Sequence, residues 1–105
     1  MPTPLPWHQI DTVLLDMDGT LIDLHFDSHL WQQLVPERYA ARLGLPLADA
    51  KAQIEAHYQA VGGTLDWYCV DYWSQTLGLD IRALKQEILD KIQWRPHVIP
   101  FLAAL

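Results

Sequence analysis

Thr12-Val13-Leu14-Leu15-Asp16-Met17-Asp18-Gly19-Thr20-Leu21-Ile22-Asp23 is the stretch on which the reading of the fold turns. Its first half is a short, continuously apolar run that ends in an acidic residue. A run of that kind predicts a buried parallel strand rather than a half-exposed one. Asp18-Gly19 then breaks it. Residues two apart in an extended chain point the same way, so Asp16 and Asp18 are expected to face one site. The C-terminal edge of an open α/β sheet is where ligands bind, and Gly19 lets the backbone turn sharply there. Two close carboxylates can divide labour, one staying ionised to bind metal and attack, the other holding and delivering a proton. A hard cation such as Mg²⁺ suits such oxygen ligands and keeps waters and a substrate phosphate in its shell.

Downstream the pattern becomes helical. His29 to Leu43 predicts one or two short helices interrupted near Pro36. Pro46 opens the next, with Leu47, Ala50, Ile54, Tyr58 and Val61 on one face and Gly62-Gly63 at its end. Asp66 is expected to cap a third helix, with Tyr68 or Cys69, Tyr72 and Leu77 inward and Gly78 past its end. Asp80 is expected to cap a fourth, its stripe being Ile81, Leu84, Ile88 and Ile92, broken at Arg95-Pro96. Val98 to Leu105 reads as the start of another. A single strand needs neighbours for its backbone groups, so the strand is either an edge orphan or part of a sheet continuing beyond Leu105. With Leu105 falling mid-helix, the chain is expected to be a truncated piece of a longer protein.

Composition narrows the function. Of 105 residues, 50% are apolar and 19% charged, which fits a globular core. Thirteen acidic against seven basic residues give a net charge of −6, which argues against a nucleic-acid partner and an anionic membrane surface. A small phosphorylated substrate remains compatible, because a bound metal can reverse the local field. Met1 to Gln9 reads as a surface lead-in without signal-peptide features, and no apolar run reaches membrane-span length. The single cysteine, Cys69, permits no intrachain disulfide. A soluble cytoplasmic protein is expected.

The hydrophobic run followed by D-x-D-G-T-L-x-D, from Asp16 to Asp23, resembles the first motif of haloacid dehalogenase-like phosphatases. That resemblance implies an α/β fold: a Rossmannoid core, of which only the first strand and return helix would lie in this chain, with an inserted helical cap. The division would be 1–24 for strand and catalytic loop, 25–95 for the cap and 96–105 for the return. It implies Asp16 as the nucleophile that forms an aspartyl-phosphate, and Asp18 as general acid and then base. Asp16 and Asp18 would bind Mg²⁺, the latter through its carbonyl, while Met17, Asp18 and Gly19 would hold the substrate phosphate. Asp11 to Leu21, Trp31, Leu34-Val35-Pro36-Glu37, Leu65 to Cys69 and Asp71-Tyr72-Trp73 resemble bacterial GMP/IMP 5′-nucleotidases of that superfamily. This implies purine nucleoside monophosphates as substrates. The family also needs a strand-end Ser or Thr, a phosphate-steadying Lys and a later acidic pair. No segment matches them, and Lys51, Lys85 and Lys91 fall on expected cap helices, so the chain alone is expected to be inactive or nearly so.

Other readings compete. Asp18-Gly19 alone is ordinary turn chemistry, and a calcium loop fails because its sixth and twelfth positions hold Leu21 and Asp27. His25 and His29 can meet on a helix face but lack a third ligand of zinc spacing. Cys69 is expected to be buried and inert. Trp67, Tyr68, Tyr72 and Trp73 either pack in the core or stack on a purine. The same nucleophile would serve a sugar-phosphate or phosphoglycolate phosphatase or a phosphomutase. A different class is a non-catalytic helical module with vestigial aspartates. A third outcome is self-association through an open strand edge.

Overall fold

The computed structural model describes residues 4–105, and the first three residues of the expected Met1–Gln9 lead-in and of the 1–24 unit lie outside them. The chain runs through α1 (His25–His29), a π-helical turn (Leu30–Leu34), α2 (Val35–Leu43), α3 (Leu47–Val61), α4 (Val70–Leu77), α5 (Ile81–Glu87) and α6 (Val98–Ala104). Short 3₁₀ turns occupy Trp7–Gln9, Leu65–Tyr68 and Leu89–Lys91.

The expected α/β architecture is overturned: the described residues form helices and turns, with no β-strand among them. Residues 11–17 adopt no regular structure. Where a strand was expected, Val13, Leu14 and Leu15 are 41%, 90% and 37% exposed. The physical reason lies in hydrogen bonding. A strand exists only where a neighbour takes its backbone N–H and C=O groups, and no described segment lies alongside this one. The two β-type contacts are isolated bridges, Asp18 with Ile22 and Ile22 with Trp94. A compact chain of this length has a radius of gyration of about 13 Å, whereas this one measures 18.3 Å with extents of 59 × 29 × 27 Å. The exposed N-terminal arm is consistent with that elongation.

The helices pack around a core in which Leu30, Val35, Ile54, Leu77 and Ile81 are fully buried. Proline lacks an N–H and ordinarily breaks a helix interior. Here the chain widens by one residue just before Pro36, where the Val35 N–H donates to the Leu30 carbonyl in an i to i−5 bond. The helical path therefore passes through Pro36, and both Val35 and Pro36 are buried. On α3, Ala50, Ile54 and Val61 face the core as expected, while Leu47 in the first turn stays exposed.

The third helix differs from expectation. Leu65–Tyr68 is a 3₁₀ turn in which Asp66 makes no capping bond. Cys69 caps α4 instead, its sulfur accepting from the Tyr72 N–H at 3.4 Å, and it is exposed rather than buried. The later start rotates the helix so that Trp73 and Leu77 point inward. Asp80 caps α5 as expected, with Oδ1 accepting from the Ala83 N–H at 3.1 Å. Ile81, Leu84 and Ile88 are buried, but the helix ends at Glu87 and leaves Ile92 43% exposed. Arg38 and Glu87 tie α2 to the end of α5 with paired bonds of 2.9 and 2.6 Å.

Gly44 and Gly78 end α2 and α4 with φ of +67° and +66°, the left-handed closure that a Cβ disfavours. Alanine at either position should cost about 1–2 kcal/mol, read as a lowered urea midpoint. A Cβ at Gly44 meets nothing within 4 Å, while one at Gly78 meets the Arg42 guanidinium at 2.5 Å. That guanidinium is the free end of a flexible side chain, so the two losses should be nearly equal. A much larger loss at Gly78 would show that Arg42 is pinned there.

Candidate active site

The loop from Asp16 to Asp23 is built around one carbonyl. Met17 O accepts from the N–H groups of Thr20, Leu21 and Ile22 at 3.3, 3.0 and 2.9 Å. Gly19 reaches φ +78°, and its N–H donates to Ile22 O at 2.8 Å. A Cβ at Gly19 would lie 3.2 Å from the Leu24 side chain, so glycine serves both the turn and its packing. The far side of the loop is fastened to the end of the helical block. Asp23 N–H donates to Gln93 O at 2.8 Å, and Arg95 N–H donates to Leu21 O at 2.9 Å. Asp23 Oδ1 in turn accepts from the His25 N–H at 2.7 Å, which launches α1.

Asp16 is exposed, and the Thr20 hydroxyl stands 3.5 Å from its Oδ2. Asp18 is also exposed, and with side chains of the helices it lines a cleft of about 540 Å³. Of the three residues expected to hold a phosphate, Gly19 spends its N–H inside the turn, whereas those of Met17 and Asp18 donate to no described backbone or side-chain acceptor. No cluster of three or more His, Cys, Asp or Glu residues with metal-binding geometry occurs among the described residues. His25 and His29 do approach each other, with ring centroids 6.0 Å apart.

The cleft brings in residues that sequence reasoning passed over. Lys51 from α3 and Lys85 from α5 line it together with Asp18. By sequence both fall on expected cap helices, and so neither is read as the family's phosphate-steadying lysine. Asp27 on α1 lies in the wall. Burial and the nearby Asp18 charge push its carboxyl above the usual carboxylate range, against the opposing effects of a Trp31 hydrogen bond and Lys85. The only advance signal was negative: Asp27 was noted for failing the calcium-loop pattern.

Aromatic rings of Trp31, Tyr58, Trp67, Tyr68 and Trp73 line the cleft. Trp73 is the buried hub, with Trp31, Tyr58, Trp67 and Tyr72 at centroid distances of 5.2 to 6.1 Å. Its indole N–H donates to Trp67 O at 3.0 Å. Trp67 and Tyr68 line the same cleft and remain 40% and 82% exposed. Both roles foreseen for these aromatics are thus available, packing for Trp73 and an open surface for Trp67 and Tyr68. Tyr58 donates its hydroxyl to Trp31 O at 2.7 Å. Burial, with help from Glu55 and Asp27, pushes that phenol well above its ordinary value of 10.0.

A chain with this geometry proves similar to known proteins. It is 50% identical over 101 residues, 96% of its length, to the GMP/IMP nucleotidase YrfG of Escherichia coli (strain K12). The same identity and coverage hold for the GMP/IMP nucleotidase YrfG of Shigella flexneri. The resemblance to bacterial GMP/IMP nucleotidases is therefore borne out, and the chain matches part of a GMP/IMP nucleotidase-like protein. It spans about half the length of these curated relatives, 46%. No family model matches it, and no solved structure does. No helix among the described residues is long and apolar enough to cross a membrane.

The raised Tyr58 phenol has a testable consequence. The unfolded chain loses this proton first, so stability is retained below pH 10 and falls as pH rises beyond it. Tyr58→Phe should flatten the alkaline decline in melting temperature. At neutral pH it should cost about 1 kcal/mol for the lost hydrogen bond.

Proposed function

We propose that the protein is a phosphomonoesterase of the haloacid dehalogenase type that acts on purine nucleoside 5′-monophosphates. The observation that carries this reading is that Asp18 of the Asp16–Asp23 loop lines a cleft also lined by Trp31, Tyr58, Trp67, Tyr68 and Trp73. The name of the half-identical relatives supports the substrate class.

The donor set of this loop is two hard carboxylates, Asp16 and Asp18, with no third acidic, His or Cys partner grouped with them among the described residues. Such a pair suits Mg²⁺, which takes one or two carboxylates and fills its remaining positions with waters and substrate phosphate. Asp16 and Asp18 would hold it, and the ion would supply charge against the repulsion between carboxylate and phosphate. Asp16 attacks phosphorus, forming a carboxylate O–P bond as the P–O bond to the nucleoside 5′-oxygen breaks. Asp18 gives its proton to that departing oxygen. It then takes one from the water that cleaves the aspartyl-phosphate, returning Asp16 and inorganic phosphate. Thr20 limits the rotation of Asp16 through its hydroxyl. The N–H groups of Met17 and Asp18 are the loop donors left for the phosphate oxygens, and Gly19 contributes by setting the turn.

The protein as its gene encodes it should release phosphate from GMP and IMP in the presence of Mg²⁺. Asp16→Asn should abolish turnover without shifting the melting temperature, and normal turnover in that variant would rule out the nucleophile. Hexose phosphates and phosphoglycolate in the same phosphate-release assay separate a sugar-phosphate phosphatase from a nucleotidase. If the open rings carry the base, the double substitution of Trp67 and Tyr68 by Ala should raise KM for GMP about tenfold or more, since one base–aromatic stack contributes about 1–3 kcal/mol. The KM for para-nitrophenyl phosphate should stay unchanged; an equal rise for both substrates would remove the stacking role.

A further inference from the structure

On α3, Lys51, Glu55 and Tyr58 follow one another at intervals of four and three residues, so their side chains share one side of the helix. All three line the cleft that Asp18 also lines. The Tyr58 ring meets the Trp67 ring edge-on, with centroids 5.9 Å apart. Trp67 lines the same cleft and is 40% exposed. Glu55 therefore stands one helical turn from the aromatic rings, and Lys51 one turn further on.

Both charged residues are exposed, and neither is in an ion pair among the described residues. Their order contributes to this. A helix pairs Glu with a Lys four residues later better than it pairs the reverse, and here the Lys comes first. The Glu55 carboxylate is instead steadied by Gln59, whose Nε2 donates to Oε1 at 3.3 Å. That bond leaves Oε2 for another donor.

An ammonium only donates hydrogen bonds, and a carboxylate only accepts them. Four residues apart on a helix, the two Cβ atoms are separated by about 5–6 Å, so both heads can reach adjacent atoms of one planar ligand. A base lying along this pair must carry an acceptor next to a donor. Guanine and hypoxanthine do so, with the O6 carbonyl beside N1–H. Adenine reverses both, with an amino group at C6 and a lone pair at N1. Against Lys51 and Glu55 it would set donor to donor and acceptor to acceptor. A site built to hydrogen-bond one partner rejects the analogue that leaves its polar groups unpaired.

We infer that Lys51 and Glu55 read the base of the nucleotide, Lys51 Nζ donating to O6 and Glu55 Oε2 accepting from N1–H of a 6-oxopurine that lies toward Trp67. The inference rests on the nucleotide reading above and adds the side chains that separate 6-oxopurines from adenine.

The test is phosphate release by the gene-encoded protein from GMP, IMP, AMP and 1-methyl-GMP, with ribose 5-phosphate as the substrate without a base. The kcat/KM for GMP and IMP should exceed that for AMP by about ten- to a hundredfold, the range for hydrogen bonds to charged groups. 1-Methyl-GMP keeps O6 but has no N1–H, and it should fall toward AMP. Glu55→Gln and Lys51→Met, helix-compatible changes at exposed positions, should each shrink the ratio of GMP to AMP about tenfold. A ratio that survives both changes overturns the assignment. So does hydrolysis of 1-methyl-GMP as efficient as that of GMP, a result that needs no variant. A fall shared equally by all five substrates also overturns it, by showing that the pair acts at the phosphate. Equal turnover of GMP, IMP and AMP, each above ribose 5-phosphate, overturns the base-edge assignment alone. Ribose 5-phosphate turned over as well as GMP, or no nucleotide turned over at all, overturns the nucleotide reading itself and the base-edge assignment with it.

Discussion

Two backbone hydrogen bonds hold the two ends of the helical block together. The Asp23 N–H donates to Gln93 O and the Arg95 N–H donates to Leu21 O, at 2.8 and 2.9 Å. They join segments about seventy residues apart, so every helix from α1 to α5 lies inside one closed excursion. Closing a loop that long costs conformational entropy that two hydrogen bonds alone do not offset. The compensation comes from the core the excursion encloses, with Leu30, Val35, Ile54, Leu77 and Ile81 removed from water. The loop and the core thus depend on each other. The core makes closure favourable, and closure holds Asp18 in the lining of the cleft that the core's helices create.

The aromatic lining of that cleft follows from the same packing. Trp73 is buried as the hub of edge-to-face contacts with Tyr58, Trp67 and Tyr72. Edge-to-face pairs place the positive rim of one ring against the negative face of another, which fixes ring directions more firmly than apolar contact alone. The polar ends are also satisfied, the Trp73 indole by Trp67 O and the Tyr58 hydroxyl by Trp31 O. A surface assembled this way is rigid before any ligand arrives, and rigid flat walls lower the entropy lost on binding.

What the sequence disclosed depended on how local each signal was. The Asp80 cap and the Ile81, Leu84 and Ile88 part of the α5 stripe were legible because they lie within two helical turns, whereas Ile92 falls beyond the helix end and is exposed. The Asp16–Asp23 motif was legible because its turn is closed by its own residues, through the Met17 carbonyl. The strand was not, because strand formation is decided by a neighbour, and the apolar letters of Val13 to Leu15 say nothing about whether one is present. The inward face of α4 was misread because Asp66 was taken as its cap. Starting the helix at Val70 instead substitutes Trp73 for Tyr72 as the buried ring. Asp27, Lys51 and Lys85 could not be read at all as a group, since they come from three helices and meet only in the folded chain.

The charge distribution shows why that grouping matters. The chain carries net charge −6, so its far field repels an anionic ligand. Two of its cations are occupied elsewhere, Arg38 with Glu87 and Arg82 with Asp71. Lys51 and Lys85 are in no ion pair among the described residues, and both face the cleft. Charges in a partly enclosed cleft are screened less than charges on the open surface, so two lysines there weigh more locally than the overall balance implies. Against them stand Asp18, Asp27 and Glu55 in the same walls. The cleft is therefore mixed rather than basic, a field suited to a ligand that is anionic at one end and carries hydrogen-bond donors along its length. A simple polyanion would find the lysines but also meet the carboxylates between them, and that opposition supplies selectivity that positive charge alone would not.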